Sequence, residues 1–500
     1  MNEPVSVSQP TPAQFLARLE NGPQTLTHAV RRLAEGVRAR QGRALLVGGV
    51  VRDIILDRTV TDADVEVYGI PATILPELLE ELFPGRVHDV GRAFSVYKVA
   101  LDDAHTLDVS LPRRDSKTGK GHGGFEVIGD PAMSMEDATR RRDFTVNAML
   151  ADPLTGEVLD PFHGMDDLTN KTLRAVDPAT FVEDPLRVYR ALQFAARFDL
   201  TPDGETMKLL TQMIARGDLD ELPKERVTEE IRKLLLKAER PSIGFNLARD
   251  LGIIERDYPE LWAMTSTPQN PEWHPEGDVW IHTMMVVDMA ALLARQPERA
   301  FDAQDRLFMV LGGLCHDLGK PGVTRVIDGK IRSLDHEASG EAPARALLAR
   351  WSFGADVEEK IIALVKDHLK PGMLLREIGK GKLSDEQYVN AVRRLLKRIH
   401  PLDWRPFIAG CEADFRGRTL PESALDRPYE AGERFAETIR SHHLDDAPTK
   451  PLLRGEDLIP LGLEPGRDMG RIIREVEDAR DRGEVKTREE ALALAQTLIH

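Results

Sequence analysis

Cysteine is almost missing: only Cys315 and Cys411 occur, in widely separated segments. A disulfide scaffold is excluded, and a reducing cytoplasm is the expected location. Aromatic residues make up only 5% of the chain, so the cores must be built mainly from Leu, Ala, Val and Ile. No apolar run approaches the roughly 18–20 residues that a membrane helix needs. The opening MNEPVSVSQPTPAQF has no basic start and no apolar core, which argues against a signal peptide. Positive charge is outweighed: 67 Lys and Arg stand against 83 Asp and Glu, a formal net charge of -16. That balance does not suit a protein that coats nucleic acid non-specifically.

What is present is an ordinary globular composition, 41% hydrophobic and 30% charged, over 500 residues. That length suggests about three domains. Basic residues cluster locally on the acidic whole: Arg113, Arg114, Lys117 and Lys120; Arg140, Arg141 and Arg142; Lys224 to Arg240; and Arg393 to Arg398. Singly each reads as a solvated face, and together as a basic track.

Residues 1–25 read as a loose arm and 26–40 as a helix. ALLVGGVVRDIIL (44–56) reads as a buried strand, a glycine turn and a helix. DADVEVYG (62–69), YKVAL (97–101) and TLDVSL (106–111) read as strands, and the Gly-rich RRDSKTGKGHGG (113–124) as a loop without periodicity. Strands and helices thus interleave over the first 165 or so residues. Beyond residue 170, helical spacing dominates at 184–199, 203–217, 224–239 and 241–252. STPQNPEWHPEGD (266–278) is the clearest linker, and VIDGKIR (326–332) reads as a turn between helices.

Two constellations carry chemistry. In the first, GGVVRD (48–53) is followed by DADVEV (62–67). On a strand Asp62 and Asp64 project to one face, where two like charges call for a cation between them. Mg2+ suits carboxylate oxygens, and Asp108 on a later strand offers a third. Three acids around two metals is an arrangement for in-line nucleotidyl transfer. Gly48 and Gly49 let the backbone approach a triphosphate, and the following helix presents its positive N-terminus.

GGVVRDIIL…DADVEV (48–67), RRRDFTVNAML (140–150), DPFHGMDDL (160–168), EDPLRVYRALQFAARF (183–198) and ERVTEEIRKLL (225–235) resemble, in order, the bacterial class II CCA-adding tRNA nucleotidyltransferase and poly(A) polymerase family. The resemblance implies that Asp62 and Asp64 bind catalytic metals. It implies that Gly49, Arg52, Arg141, Arg142 and Asp143 contact the incoming nucleotide and that Asn147 braces that motif. It implies that Asp184 and Arg187, sharing a helix face, read the base edge, and that Arg190 supports a phosphate. Read alone, EDPLRVYRALQF is a capped amphipathic helix with Pro185 in its first turn. Within the family, VGRAFSVYKV (90–99) only loosely matches the polymerase signature, because Ala93 stands where a second basic residue is preferred. The 113–125 stretch resembles the element that full CCA-adding enzymes use in switching from C to A.

The second constellation lies in HPEGDVWIHT (274–283), LCHDLGKP (314–321), DHEASG (335–340), KDH (366–368) and CEADFRGR (411–418). His and Asp gathered near helix ends suit a metal site with mixed N and O ligands. This half resembles the HD phosphohydrolase domain. The resemblance implies His282, His316, Asp317 and Asp414 as ligands of a divalent transition metal, with His336 and His368 for a second metal or a substrate phosphate. In CCA-adding enzymes with such a domain it implies phosphatase and cyclic phosphodiesterase activity.

The expected architecture is an arm and helix (1–40), an α+β polymerase-β-like nucleotidyltransferase palm (41–169), a helical base-selecting and RNA-binding region (170–265), an all-α HD domain (266–420) and a helical extension (421–500). The expected partners are tRNA, CTP and ATP. The rivals are a poly(A) or A-only-adding polymerase and a catalytically silent RNA-binding scaffold. The HD metal and the oligomeric state stay open.

Overall fold

The computed structural model describes residues 9–91, 96–117, 125–445, 452–464, 466–481 and 484–499. The chain divides into two compact units between Glu230 and Ile231.

The first unit is built on strands β1 (Arg43–Val47), β2 (Asp62–Tyr68), β3 (Val87–Gly91), β4 (Val96–Ala100), β5 (Thr106–Ser110), β6 (Arg113–Lys117), β7 (Phe125–Gly129), β8 (Leu150–Ala151) and β9 (Val158–Leu159). Seven of them form one mixed sheet in the order β3-β4-β5-β2-β1-β8-β9. β2 and β5 run parallel, with Asp64 opposite Asp108. β1, RALLV, is central because four of its five residues are buried. Helix Gln24–Ala39 buries Leu26, Val30, Leu33 and Val37, one face at helical spacing.

Two expectations for this unit are corrected. The N-terminal stretch is not all arm. Thr11 and Gln14 form a capping box that starts helix Pro12–Glu20, which buries Phe15 and Leu19. The 113–124 segment is not all loop either. Residues 113–117 pair with 125–129 as the separate hairpin β6–β7, Arg113 opposite Gly129. A backbone ladder satisfies itself without apolar alternation, so composition did not betray it. Residues 118–124 lie outside the described residues.

After β10 (Thr172–Leu173) and β11 (Thr201–Pro202), a short parallel pair, the unit continues as helices Leu186–Phe198 and Gly204–Ala215 and the start of Lys224–Lys237. The boundary between the two compact units falls inside that last helix.

The second unit is helical around Val279–Ala294, Ala303–Cys315, Ala355–Asp367 and Trp404–Arg416. It is not wholly α. Strands β12 (Thr324–Ile327) and β13 (Lys330–Ser333) form a hairpin. Its two-residue turn, Asp328–Gly329, has both residues at positive φ, the Asp-Gly signal of a tight hairpin inside VIDGKIR. Nor is 266–278 a free linker. Gln269 is buried, its amide donates to the Asp278 carbonyl at 3.1 Å, and its oxygen accepts from Lys320 Nζ at 2.7 Å. The C-terminal residues form a small core of their own around Leu453, Leu458, Ile472, Val476, Ala491 and Ala495. Among the described residues no helix is long and apolar enough to cross a membrane.

Candidate active sites

The first site forms where β1 ends. At Gly48 the backbone takes φ 74° and ψ -130° before helix Gly49–Ile55 begins. The angle requires glycine, and a Cβ there would lie 2.5 Å from Arg142 Nη1 and displace that guanidinium. Beside this turn, Asp62 and Asp64 alternate onto one open face of β2. The parallel register brings Asp108 onto the same face, and Lys98 Nζ lies 3.6 Å from its Oδ1. Asp64 is reachable by solvent yet set among protein atoms. That desolvation pushes its pKa up to about 6, with Arg142 opposing and Asp108 and Asp62 adding to it. Three mutually repelling carboxylates, one held reluctantly charged, fit a site for divalent cations.

The same alternation places Glu66 on this face, now buried, and sequence reasoning passed over it. Glu66 accepts from Tyr68 Oη at 2.9 Å, Arg141 Nη2 at 3.0 Å and Arg142 Nη2 at 3.3 Å. The third acid of DADVEV, at its fifth position, was the available signal.

Behind the two arginines, Asp143 is buried and saturated. It accepts from the Phe144 amide at 2.8 Å, Asn147 Nδ2 at 3.0 Å and Arg190 Nε at 2.7 Å. Burial alone would raise its pKa, but Arg190 and Asn147 outweigh that and hold the carboxyl below its ordinary range. Phe144 packs edge-on against Phe181 and Phe194, anchoring the motif to helix Leu186–Phe198.

The second site gathers residues from five segments. His282 sits within helix Val279–Ala294, His316 caps Ala303–Cys315, His336 opens His336–Ser339, His368 caps Ala355–Asp367, and Asp414 lies in Trp404–Arg416. Each ring is oriented through Nδ1: His316 toward the Gly313 carbonyl at 2.8 Å, His336 toward Ser333 at 2.9 Å, His368 toward Val365 at 3.0 Å and His282 toward Gly417 at 3.1 Å. A carbonyl can only accept, so Nδ1 carries the proton and the Nε2 lone pair is left for a ligand. These lone pairs converge. His282 Nε2 is 3.4 Å from His316 Nε2 and 3.1 Å from Asp414 Oδ1, and His316 Nε2 is 3.1 Å from Asp317 Oδ2. On its other side Asp317 Oδ1 lies 3.3 Å from His336 Nε2, and Asp317, His336 and His368 gather as a second set of ligand atoms.

Burial alone would raise Asp317 and Asp414. His316 and Lys320 hold the first, and Arg418 and His282 the second, well below the ordinary carboxylate range. Burial alone would lower His316, but Asp317 outweighs it and the net shift is upward. Burial, reinforced by His316, pushes His368 down to about 4. A buried, convergent N and O donor set of this kind fits a transition-metal cation.

Three stretches match family models: 44–174 the "Poly A polymerase head domain", 199–265 the "Probable RNA and SrmB- binding site of polymerase A", and 279–401 the "HD domain". Over 426 residues the chain is 37% identical to the "Multifunctional CCA protein" of Stenotrophomonas maltophilia, covering 83% of this chain and 96% of that protein. It belongs to the multifunctional CCA protein family. A protein of the same name from Methylobacillus flagellatus is 35% identical over 382 residues, covering 75% of this chain and 84% of that one. Among solved structures, a CCA-adding enzyme complexed with ATP superposes with TM-score 0.61 at 19% identity, covering 98% of each chain. The Thermotoga maritima CCA-adding enzyme complexed with tRNA gives 0.57 at 18%, again covering 98% of each. At such identities these two likenesses speak for the fold.

For a multifunctional CCA protein, several expected site residues stand where sequence alone would not put them. Arg52 is an interior residue, only 2% exposed. Its guanidinium lies 4.0 Å from the Phe198 ring centre, bonds Asp53 at 2.8 Å and donates to Asn147. It joins helix Gly49–Ile55 to Leu186–Phe198 rather than facing a nucleotide. Burial lowers its pKa to about 10, against the pull of Asp53. Asp184 stands just ahead of the helix: its carboxylate accepts from the Leu186 amide at 3.1 Å and its backbone carbonyl from the Arg187 amide at 3.0 Å. Arg187 donates to the Thr180 carbonyl at 2.8 Å and the Arg141 carbonyl at 2.6 Å.

In the second site, His274 and Glu276 were passed over. Glu276 Oε1 lies 3.0 Å from His282 Nδ1 and 2.9 Å from His274 Nδ1. An acid in HPEGD, just ahead of a helix that presents a ligand histidine, was the signal.

Proposed function

We propose that this protein builds or repairs the 3′-terminal CCA of tRNA from CTP and ATP without a nucleic-acid template, and hydrolyses phosphoesters at its HD site. The observation that carries the first activity is the set Asp62, Asp64 and Asp108 on one sheet face beside the Gly48 turn. These side chains are assigned to hold Mg2+. Bound there, the cation supplies acidification of the attacking hydroxyl and neutralisation of the charge that develops at phosphorus. Arg142, held above the turn by Glu66, is assigned to the triphosphate, which its planar donor fork suits. Arg187 is assigned to the base edge. Since it donates to two backbone carbonyls, it must release them to take up a base. The helices that follow, with Lys224, Arg226 and Lys233, support a backbone-reading RNA surface whose affinity falls steeply with salt.

At the HD site, His282, His316, Asp317 and Asp414 are assigned to a divalent transition metal, which when bound supplies the Lewis acid for phosphoester hydrolysis. Incubation with tRNA lacking CCA tests the main reading. Three nucleotides should be added, with CTP required. Unlimited extension with ATP alone would identify a poly(A) polymerase instead. D64A should abolish addition, and retained activity would overturn the metal-site assignment.

A further inference from the structure

Beside the HD centre, and reaching it at His368 and Asp414, lies a cavity of about 710 Å³. That is far more room than a bare phosphate needs and falls in the usual range for organic ligands. Its polar wall carries Arg376, Arg418 and Arg427, against the acidic Glu422 and Glu430. Arg418 is the innermost cation: its Nη2 lies 3.4 Å from Asp414 Oδ1, the same oxygen that sits 3.1 Å from His282 Nε2. The Arg418 Nε is buried and makes no hydrogen bond. Among the described residues neither Arg376 nor Arg427 forms an ion pair through its side chain.

The rest of the wall is largely apolar, Leu369, Leu375 and Leu420 with three aromatic rings. Phe415 and Tyr429 pack on each other with ring centres 5.2 Å apart. Trp273 differs from them: it is 58% exposed, and its ring has no aromatic or cationic neighbour among the described residues. A tryptophan held this open at the edge of a cavity with guanidinium donors and a metal centre is unexplained by packing. It is explained by a flat ring arriving with the ligand. The backbone around it is pinned, since the Trp273 amide donates to the Asn270 carbonyl at 3.0 Å and the adjacent Glu272 pairs with Lys330 at 3.0 Å.

Resting on the hydrolytic reading of this site, we propose that Arg418 and Trp273 set its specificity. Arg418 takes the phosphate beside the metal ligands, exchanging its contact with Asp414 for phosphate oxygens. Trp273 stacks the base of a nucleotide at the cavity mouth. Selectivity for nucleotide phosphoesters over phosphoesters that lack a ring thus rests on these two side chains.

The test uses the full-length protein loaded with each of several divalent cations, with adenosine 3′-monophosphate and β-glycerol phosphate as substrates. In W273A the ratio of kcat/KM for the nucleotide to that for glycerol phosphate should fall by about 5- to 150-fold, the worth of one base–aromatic stack, mainly through KM. W273F should recover most of it. In R418Q, kcat/KM should fall by about 10- to 150-fold for both substrates, the worth of a hydrogen bond to a charged group. An unchanged ratio in W273A, or undiminished rates in R418Q, overturns the proposal while hydrolysis by the wild type keeps the parent reading. A wild type that hydrolyses neither substrate with any cation removes both. Far-UV circular dichroism and thermal unfolding of each variant separate misfolding from lost recognition.

Discussion

Replacing Gly48 by alanine perturbs the turn on which the first site depends. The backbone at φ 74°, ψ -130° is one that residues with a Cβ rarely adopt, and imposing it costs about 1–3 kcal/mol. The new Cβ would meet Arg142 Nη1 at 2.5 Å. Because a guanidinium is the far end of a flexible side chain, it yields and the backbone stays. Moving it gives up the 3.3 Å contact with buried Glu66, a charge-assisted interaction of about 1.5–3 kcal/mol. Arg141 keeps its own contact with Glu66, so the carboxylate is not orphaned. G48A should therefore destabilise the first unit by about 2.5–6 kcal/mol and weaken triphosphate binding, with Arg142 displaced. All five tryptophans lie in the second unit, so unfolding is followed by far-UV circular dichroism in denaturant and by hydrogen exchange in helix Gly49–Ile55. G85A is the control: Gly85 also has positive φ, 68°, but nothing within 4 Å of its added Cβ, and should cost only about 1 kcal/mol. If G48A costs no more than G85A and binds CTP like the wild type, the reasoning about Arg142 is wrong.

Breaking the Asp143–Arg190 pair with D143N should strip partly buried Arg190 of its main counter-ion and cost about 1.5–3 kcal/mol in denaturant unfolding. Asp143 is held below its ordinary 3.8, so its contribution is fully present above that pH and is lost as pH falls further; the acid limb of the wild-type stability curve below pH 4 should be shallower in D143N. E276Q should weaken metal retention at the HD site by about 10- to 100-fold, measured by competition with a chelator, because it loosens the orientation of His282. H316A should release the HD metal, read by elemental analysis, and abolish phosphoester hydrolysis while nucleotide addition continues. Loss of both activities would mean the two sites are not independent.

Much of the first site was legible because a strand has period two. Asp62 and Asp64 had to share a face, and GG before a helix had to be a turn. The helices 186–198, 204–215, 224–237 and 242–250 were legible from apolar spacing alone. Where the expectations failed, the deciding contact was distant or was backbone. Helix Pro12–Glu20 hides in a Pro-rich opening, where a single capping box starts it and Phe15 anchors it. Residues 113–117 became a strand through ladder bonds that any side chain permits. Segment 266–278 looked like a linker because its Pro, Gly and Asn say nothing of Gln269 meeting Lys320.

Residue types and their local spacing determined which acids and histidines could serve, because alternation on a strand and helix caps are properties of neighbours in the chain. Which of them are open to a ligand was decided only in three dimensions. Arg52, a plausible phosphate donor by position, is stacked under Phe198, and Asp143 is consumed by Arg190. Asp108 reaches Asp64 only through the register of a parallel pair, and Glu276 takes hold of His282 only once the loop folds back. Charge and donor type are written residue by residue, but exposure and partnership arise from packing between segments far apart in the chain.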